Sequence, residues 1–136
     1  MREVFDSFAG FDDYLVYFVV ALALLVAFMA IYIRITPYHE VQLIREGNMA
    51  ASFSLSGSVL GFVVALASAI QHSVSLLDMA IWGVFALLVQ VGAFVAVKLL
   101  IPSITHDIPA GNGAQGFFLG ALSLAVGILS AACMSF

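Results

Sequence analysis

The sequence predicts an all-α membrane protein in which four transmembrane helices form two similar two-helix units. Composition is the first observation, because 64% of the 136 residues are hydrophobic and only 9% are charged. Soluble domains are roughly a quarter charged. The second observation is a set of four apolar blocks, each long enough to cross ~30 Å of hydrocarbon as a helix. The third is a short motif that occurs twice and opens the second and fourth blocks.

The four apolar blocks are predicted to be helices rather than barrel strands. Lipid cannot satisfy unpaired backbone groups, and no block alternates between apolar and polar residues as a barrel strand would. Residues 1–136 then form one transmembrane domain, with an outer N-terminal tail at 1–12 and repeat units at about 13–72 and 78–136. The blocks cover about residues 13–33, 50–70, 79–100 and 113–134.

The repeated motif is Gly47-Asn48-Met49-Ala50, which recurs as Gly111-Asn112-Gly113-Ala114, 64 positions later. In each copy the glycine is predicted to end a short interfacial segment, and the asparagine to cap the next helix. Each unit crosses the membrane twice, so both copies enter it in the same sense and form a parallel repeat. We expect the second and fourth transmembrane helices to meet between the units.

Small residues recur at four-residue spacing in the second and fourth blocks, as they do where membrane helices pack closely. Each block contains a GxxxG pattern with a further small residue beyond it. Packing within one chain is the first interpretation, and pairing between two chains of a dimer is the alternative. The predicted helix-packing positions are Gly57, Gly61, Ala65, Gly116, Gly120 and Gly127.

Gln90 is the one strongly polar side chain expected near the middle of the membrane. Polar residues at that depth usually face the bundle interior, so Gln90 is predicted either to bond between helices or to contact a solute or ion. A second hypothesis is an anion site at Asn48 and Asn112, because helix N-termini carry partial positive charge. Arg45 lies near the first of these caps. Simple capping is the alternative.

Two histidine–acid pairs, His39-Glu40 and His106-Asp107, fall in the two connections that carry the repeated motif. Two histidines and two carboxylates can bind zinc or iron if they converge. Such pairs at a membrane edge are ordinarily solvated, so these residues are only metal candidates, and no metal or other cofactor is predicted. Cys133 has no base near it in sequence, and no phosphate-binding loop occurs, so an enzyme is not predicted.

The few cations predict the orientation. Arg34, Arg45 and Lys98 lie in or beside the first and third connections, against Arg2 in the tail. Positive residues favour the cytoplasmic side, which makes both termini periplasmic in a bacterial inner membrane. Net charge is −4, and without a basic run neither nucleic acid nor an anionic lipid surface is predicted as a partner.

Residues 35–40, 47–52 and 56–61 resemble the YjfL-like inner-membrane proteins, the bacterial family called domain of unknown function 350. Residues 131–136 are similar to that family's end. The resemblance implies a small multi-pass inner-membrane protein with a duplicated two-helix unit, and it supplies no catalytic residues. Relatives tend to be encoded near PspA-like membrane-stress proteins and ligases similar to glutathionylspermidine synthase. A part in envelope maintenance is implied by that association.

Two functions are predicted as alternatives. The first is a non-enzymatic membrane subunit or scaffold linked to envelope stress or maintenance. It would sit in the lipid bilayer as a homo-oligomer or with cytoplasmic or membrane stress proteins. The second is a small oligomeric channel or transporter for an ion or small solute. Scarce intramembrane charge favours the first, because coupled transport commonly uses buried ionisable groups. The path of the second would be lined by Ser54, Ser58, Gln90 and Ser123.

Overall fold

The computed structural model of the chain describes residues 2–134, with side chains described for residue 8 and residues 10–134. Met1 of the predicted tail and Ser135 and Phe136 of the predicted second unit lie outside the described residues. Four long helices and two short ones make up the described chain. They are α1 (Arg2–Ile35), α2 (Glu40–Arg45), α3 (Met49–His72), α4 (Leu76–Leu100), α5 (Ile104–Asp107) and α6 (Gly113–Cys133).

The four long helices are each long and apolar enough to cross a membrane. No strand occurs between residues 2 and 134, so the prediction of an all-α protein with four transmembrane helices is confirmed. The spanning part of α1 is Gly10–Ile35. The backbone is already helical from Arg2, so the segment predicted as a tail continues α1. The segment contains no proline that would remove a backbone hydrogen bond and force a break.

The two connections that carry the repeated motif lie at the same end of the bundle, which we call the joint end. We call residues 36–48 the first joint and residues 101–112 the second joint. The Asn48 amide joins them, because its Nδ2 donates to the backbone oxygens of Ile108 at 3.0 Å and Pro109 at 3.1 Å. Residues of the first joint therefore contact the second joint directly.

The two joints have the same backbone geometry at the glycine and asparagine that end them. Gly47 and Gly111 have positive φ values of 87° and 90°, a conformation that glycine adopts without steric cost. The following asparagines each cap the next helix, accepting from the N–H three residues on at 3.0 Å for Asn48 and 3.3 Å for Asn112. The match concerns the joints alone, and the parallel two-unit repeat of the whole chain stays a prediction.

Glu40 and Ile104 occupy equivalent positions in the two joints, because each is the first residue of its short helix and the two lie 64 positions apart. His39-Glu40 and His106-Asp107 therefore occupy different places in the two joints. Both Glu40 and Ile104 are fully buried.

Helices α3 and α6 run parallel and form the closest pair in the bundle. All glycines of these two helices except Gly113 lie against backbone atoms of the facing helix, so a Cβ at these positions would overlap that backbone. Residue numbers rise together along both helices, as the parallel arrangement requires. Ala65, further along α3, is also fully buried. The close pairs are Gly57 with Gly120, Gly61 with Gly127 and Gly116 with Ala50.

Helices α1 and α4 pack on the outside of this pair through aromatic rings near the joint end. Phe28 of α1 stacks on Phe62 of α3 with ring centroids 4.7 Å apart. Tyr32 of α1 meets Phe94 of α4 edge-on at 5.4 Å. Much of the remaining surface of α1 is exposed and apolar, as suits a helix that faces lipid.

Candidate functional site

A buried carboxyl group lies at the joint end of the bundle. Glu40 begins α2, and its side chain is fully buried. The Thr36 hydroxyl donates to Glu40 Oε1 at 2.7 Å. The second carboxyl oxygen, Oε2, is buried and has no hydrogen-bond partner among the described residues. Buried polar atoms are nearly always hydrogen-bonded in native proteins, so this oxygen is available to a proton, a water molecule or a cation.

The local sequence explains why an acidic residue points inward here. Pro37 lacks the N–H that would continue α1, so the chain leaves the helix in a short irregular segment. In that segment the even-numbered residues Thr36, Tyr38 and Glu40 are buried, and Pro37 and His39 between them are exposed. His39 has an extended backbone conformation, in which the side chains before and after it point to the same side. This conformation directs the carboxyl group into the bundle and the imidazole outward.

Two tyrosine hydroxyls lie near the carboxyl group, and both are buried without a hydrogen-bond partner. The Tyr38 hydroxyl lies beside Ser54 of α3, and the Tyr32 hydroxyl beside Ser58. Neither tyrosine reaches hydrogen-bonding geometry with its serine. The two serine hydroxyls instead donate to backbone oxygens of α3, each at 3.0 Å. A small rotation of either hydroxyl group would complete a tyrosine–serine hydrogen bond.

Burial raises the pKa of Glu40 to about 7, and the hydrogen bond from Thr36 opposes this rise. Burial and the neighbouring Glu40 charge also raise the pKa of Tyr38 above its usual range. Desolvation disfavours the charged form of any carboxyl group that lacks a cationic partner. Glu40 is therefore poised between its neutral and charged forms near neutral pH.

A second polar group lies deeper, where α3, α4 and α6 meet. Gln90 Nε2 donates to the backbone oxygens of Ser58 at 3.1 Å and Ser123 at 3.2 Å. A Cβ at Gly61 would lie 2.7 Å from this Nε2 atom, so glycine leaves the space that the amide occupies. The Oε1 atom of Gln90 and the Ser123 hydroxyl are buried and have no hydrogen-bond partner within the described part of the chain.

Together these side chains form a polar track inside the bundle. It runs from the joint end to the region around Gln90 in the middle of α4. Of the six buried side-chain polar atoms that lack a partner among the described residues, five belong to the track. Unpaired polar atoms in apolar surroundings are costly, so the track is suited to hold water or a small polar species. Its residues are Tyr32, Thr36, Tyr38, Glu40, Ser54, Ser58, Gln90 and Ser123.

A groove connects the joint-end surface to the track. It has a volume of about 270 Å³ and opens beside the first joint. Tyr38 belongs to both the groove and the track, so it separates Glu40 from the surface. The groove is lined by Tyr38, His39, Gln42, Leu43, Glu46 and Pro109.

The site lies within the part of the chain that matches a known family. The family model described as Domain of Unknown Function (DUF350) matches residues 6–134. The chain belongs to the DUF350 family. The UPF0719 inner membrane protein YjfL of Escherichia coli K12 is 41% identical over 133 residues, which is 98% of each chain. The resemblance seen in the sequence is confirmed.

A second DUF350 relative is the UPF0719 transmembrane protein YshE of Bacillus subtilis 168. It is 30% identical over 122 residues, covering 85% of this chain and 88% of the relative. No solved structure matches the chain. The names of these relatives and the four apolar helices identify the DUF350 chain as a multi-pass membrane protein.

The three residues of the anion hypothesis differ in their surroundings in this DUF350 chain. The Asn48 amide is occupied by the second joint, whereas Asn112 and Arg45 are exposed. A groove of about 350 Å³ lies beside Asn48, and its lining includes the acidic Glu46 but not Arg45. That carboxylate disfavours an anion in this groove, because like charges repel.

The four metal candidates do not converge. His39 and His106 are exposed, Asp107 is half-buried and Glu40 is buried. Among the described residues no three histidine, cysteine, aspartate or glutamate side chains come together in a way that could hold a metal ion.

Proposed function

We propose that this protein carries a small cation across the bacterial inner membrane, with the polar track as the path inside each chain. The observation that carries the proposal is the buried Glu40 and the row of unpartnered polar atoms leading from it towards Gln90. On the sequence alone, scarce intramembrane charge favours a scaffold. Glu40 lies in the first joint, outside the four spans, but it is fully buried at the joint end and begins the polar track that continues inside the bundle.

The chemistry of the track favours a cation over an anion. One carboxyl group, several hydroxyls and an amide oxygen offer negative or partially negative atoms. No lysine, arginine or histidine of the described residues forms an ion pair with Glu40, so its charge has no protein partner. A cation or proton would neutralise the carboxylate, whereas an anion would be repelled.

The track occupies about half of the bundle, so we propose that the protein works as a homo-oligomer. Beyond Gln90 the next polar group inside the bundle is Ser68, whose hydroxyl already donates to Ala131 at 2.8 Å. A path through the second half of the membrane would then lie between chains. Exposed apolar faces on all four long helices leave room for such contacts.

A non-enzymatic scaffold linked to envelope stress or maintenance is the second candidate. The observation that favours it is the groove at the first joint, whose rim presents His39, Gln42 and Glu46 to the aqueous side. In the predicted orientation this side is cytoplasmic. A soluble or membrane stress protein could bind there without any movement of solute.

The test is ion movement into proteoliposomes that contain the purified chain. We expect cation flux from the wild type and a large loss with Gln90→Leu. The Ser123 hydroxyl makes no hydrogen bond among the described residues, so Ser123→Ala should lower the flux without destabilising the fold. Ser56→Ala changes an exposed serine of α3 and is the matched control. Cation flux that is absent, or that is unchanged by both track variants, would contradict the proposal. A pull-down from native membranes in mild detergent would then test the scaffold.

A further inference from the structure

We propose that Glu40 is a proton-binding site and that protons reach it through the groove at the first joint. The proton is then the cation that moves along the polar track. The second half of this proposal rests on the proposed transport function. The first half stands on the geometry of Glu40 and can be tested without any flux. In the predicted orientation the proton comes from the cytoplasm.

The ligand shell of Glu40 fits a proton better than a metal cation. A single carboxylate supplies one negative charge, whereas divalent cations are held by several oxygen ligands and usually more than one carboxylate. One carboxyl oxygen already accepts from Thr36, and the other is bare. The groove is lined by Tyr38 and not by Glu40, so it does not reach the bare oxygen. A proton needs no cavity and only one oxygen atom.

The binding step is a simple transfer. One proton leaves the aqueous phase and forms an O–H bond at Glu40 Oε2, which turns the carboxylate into a neutral acid. The same O–H can then donate to a nearby oxygen. The Tyr32 and Tyr38 hydroxyls are the nearby groups with unused hydrogen-bonding capacity. Each can donate and accept in turn, as a proton relay requires.

The relay leads inward along α3. Tyr38 lies beside Ser54, and Tyr32 lies beside Ser58. The backbone oxygen of Ser58 accepts from Gln90, so the Tyr32 end of the relay borders the deeper polar group. Each tyrosine hydroxyl has a serine hydroxyl beside it, to which the relay can pass.

The electrostatic surroundings agree with this role. Among the described residues, the titratable groups that interact with Glu40 are Tyr32 of α1 and Tyr38 of the first joint. Ser58 and Ser54 of α3 lie beside these two tyrosines and do not titrate in the physiological pH range. The neutral form is favoured by burial, and the pKa of Glu40 rises to about 7. A group of this kind loads and releases a proton within the physiological pH range.

The direct test is an infrared pH titration of the purified chain in lipid nanodiscs, following the C=O band of protonated carboxyl groups. We expect a band that disappears with a midpoint near pH 7. Glu40→Gln should lack it. Glu46→Gln, which changes an exposed glutamate of the same joint, should keep it. A midpoint at the ordinary glutamate value, or a band that survives Glu40→Gln, would overturn the proton site.

Thr36→Val provides a variant that keeps the carboxyl group in place. The hydrogen bond from Thr36 stabilises the carboxylate, so its loss should move the midpoint to higher pH. An unchanged or lower midpoint would contradict the proposed geometry. This variant keeps the test decisive if Glu40→Gln does not fold.

Two further measurements separate the parts of the proposal. Replacing choline by sodium at constant ionic strength should leave the midpoint unchanged. A sodium-dependent drop would show that a metal cation occupies the site and overturn the proton assignment. Proton uptake by proteoliposomes under a pH gradient should be abolished by Glu40→Gln and kept by Glu46→Gln. An intact titration without proton uptake would leave the site standing and contradict the transport function.

Discussion

The carboxyl group of Glu40 ties the stability of the bundle to pH. Its pKa is about 7 in the fold against an ordinary value of 4.5, so the folded chain holds the proton more tightly than the unfolded chain. Stability is then greatest at acid pH, falls as pH rises from about 4.5 to about 7, and is flat above that. The total loss from this one group is of the order of 3 kcal/mol.

Glu40→Gln should remove this pH dependence, because glutamine does not titrate and can still accept the hydrogen bond from Thr36. We expect the variant to match the wild type at low pH and to be more stable above neutral pH. Denaturation by SDS in mixed micelles, repeated at several pH values, measures the difference. Glu46→Gln should follow the wild-type curve. A curve for Glu40→Gln that falls as steeply as the wild type would contradict a raised pKa.

Ser123 and Ser68 provide a matched pair of buried hydroxyls. The Ser123 hydroxyl has no partner, so Ser123→Ala should leave the free energy of unfolding unchanged or raise it by up to about 1 kcal/mol. The Ser68 hydroxyl donates across the α3–α6 interface to Ala131 at 2.8 Å. Ser68→Ala should therefore cost about 1 kcal/mol. SDS denaturation compares them, and an equal loss in both variants would show that Ser123 is hydrogen-bonded after all.

At the scale of the elements, the two joints end in the same glycine–asparagine conformation, but their asparagines make different hydrogen bonds. Asn48 caps α3 and also donates to two carbonyl oxygens of the second joint. Asn112 caps α6 by accepting from the Gln115 N–H, and its side chain makes no other hydrogen bond among the described residues. Asn112→Ala should cost about 1 kcal/mol, and Asn48→Ala about 1–2 kcal/mol more because two further hydrogen bonds are lost. Equal losses in unfolding experiments would mean that the link between the joints contributes nothing.

The α3–α6 interface depends on the absence of side chains. Gly57→Ala would place a Cβ against the Gly120 backbone, and we expect a loss of about 1–3 kcal/mol from forced separation of the helices. Gly92 of α4 is exposed and has open space around its Cα. Gly92→Ala should therefore be neutral, or stabilising by up to about 1 kcal/mol through helix propensity. The comparison uses the same denaturation assay, and a neutral Gly57→Ala would rule out backbone contact at this point.

Most of the helical elements could be predicted from the sequence because their causes are local. Apolar length determines a membrane span, and Gly47 and Asn48 define a helix boundary through their own backbone and side-chain chemistry. The start of α1 could not be located in this way, since a segment of mixed polar and apolar residues such as 2–12 can be helical or not without breaking any local rule. Hydrophobicity reports where a helix enters lipid, not where its backbone begins.

The candidate site was only partly predictable. Gln90 and the serines stand out because they are polar within apolar blocks. Glu40 lies in a connection with other charged residues, where solvated side chains are the usual case, and its burial results from packing between the first joint and the bundle. The burial of Thr36, Tyr38 and Glu40 at alternate positions after Pro37 is a signal that the sequence contains. Composition alone cannot show which face of that alternation points inward.

For the whole molecule, orientation decides which compartment supplies the proton. The distribution of arginine and lysine predicts that the joints are cytoplasmic and both termini periplasmic. A reporter active only in the cytoplasm should therefore be inactive when fused at Phe136 and active when fused after Glu46. The opposite pattern would place the groove at the periplasmic face, and the site would then sense the outside pH.

The pairing of Glu40 with Ile104 shows what the acid is not needed for. Both side chains are completely buried at the first position of a short helix, and in the second joint a hydrocarbon side chain fills that place. Shape and packing can thus be satisfied there without any ionisable group. The equivalent position of the second joint holds an isoleucine, whereas the carboxyl group of Glu40 weakens the fold at neutral pH. This difference points to selection of Glu40 for its chemistry. Glu40 is the one buried acidic side chain among the described residues, so an oligomer would hold one such exchangeable proton for each Glu40 it contains.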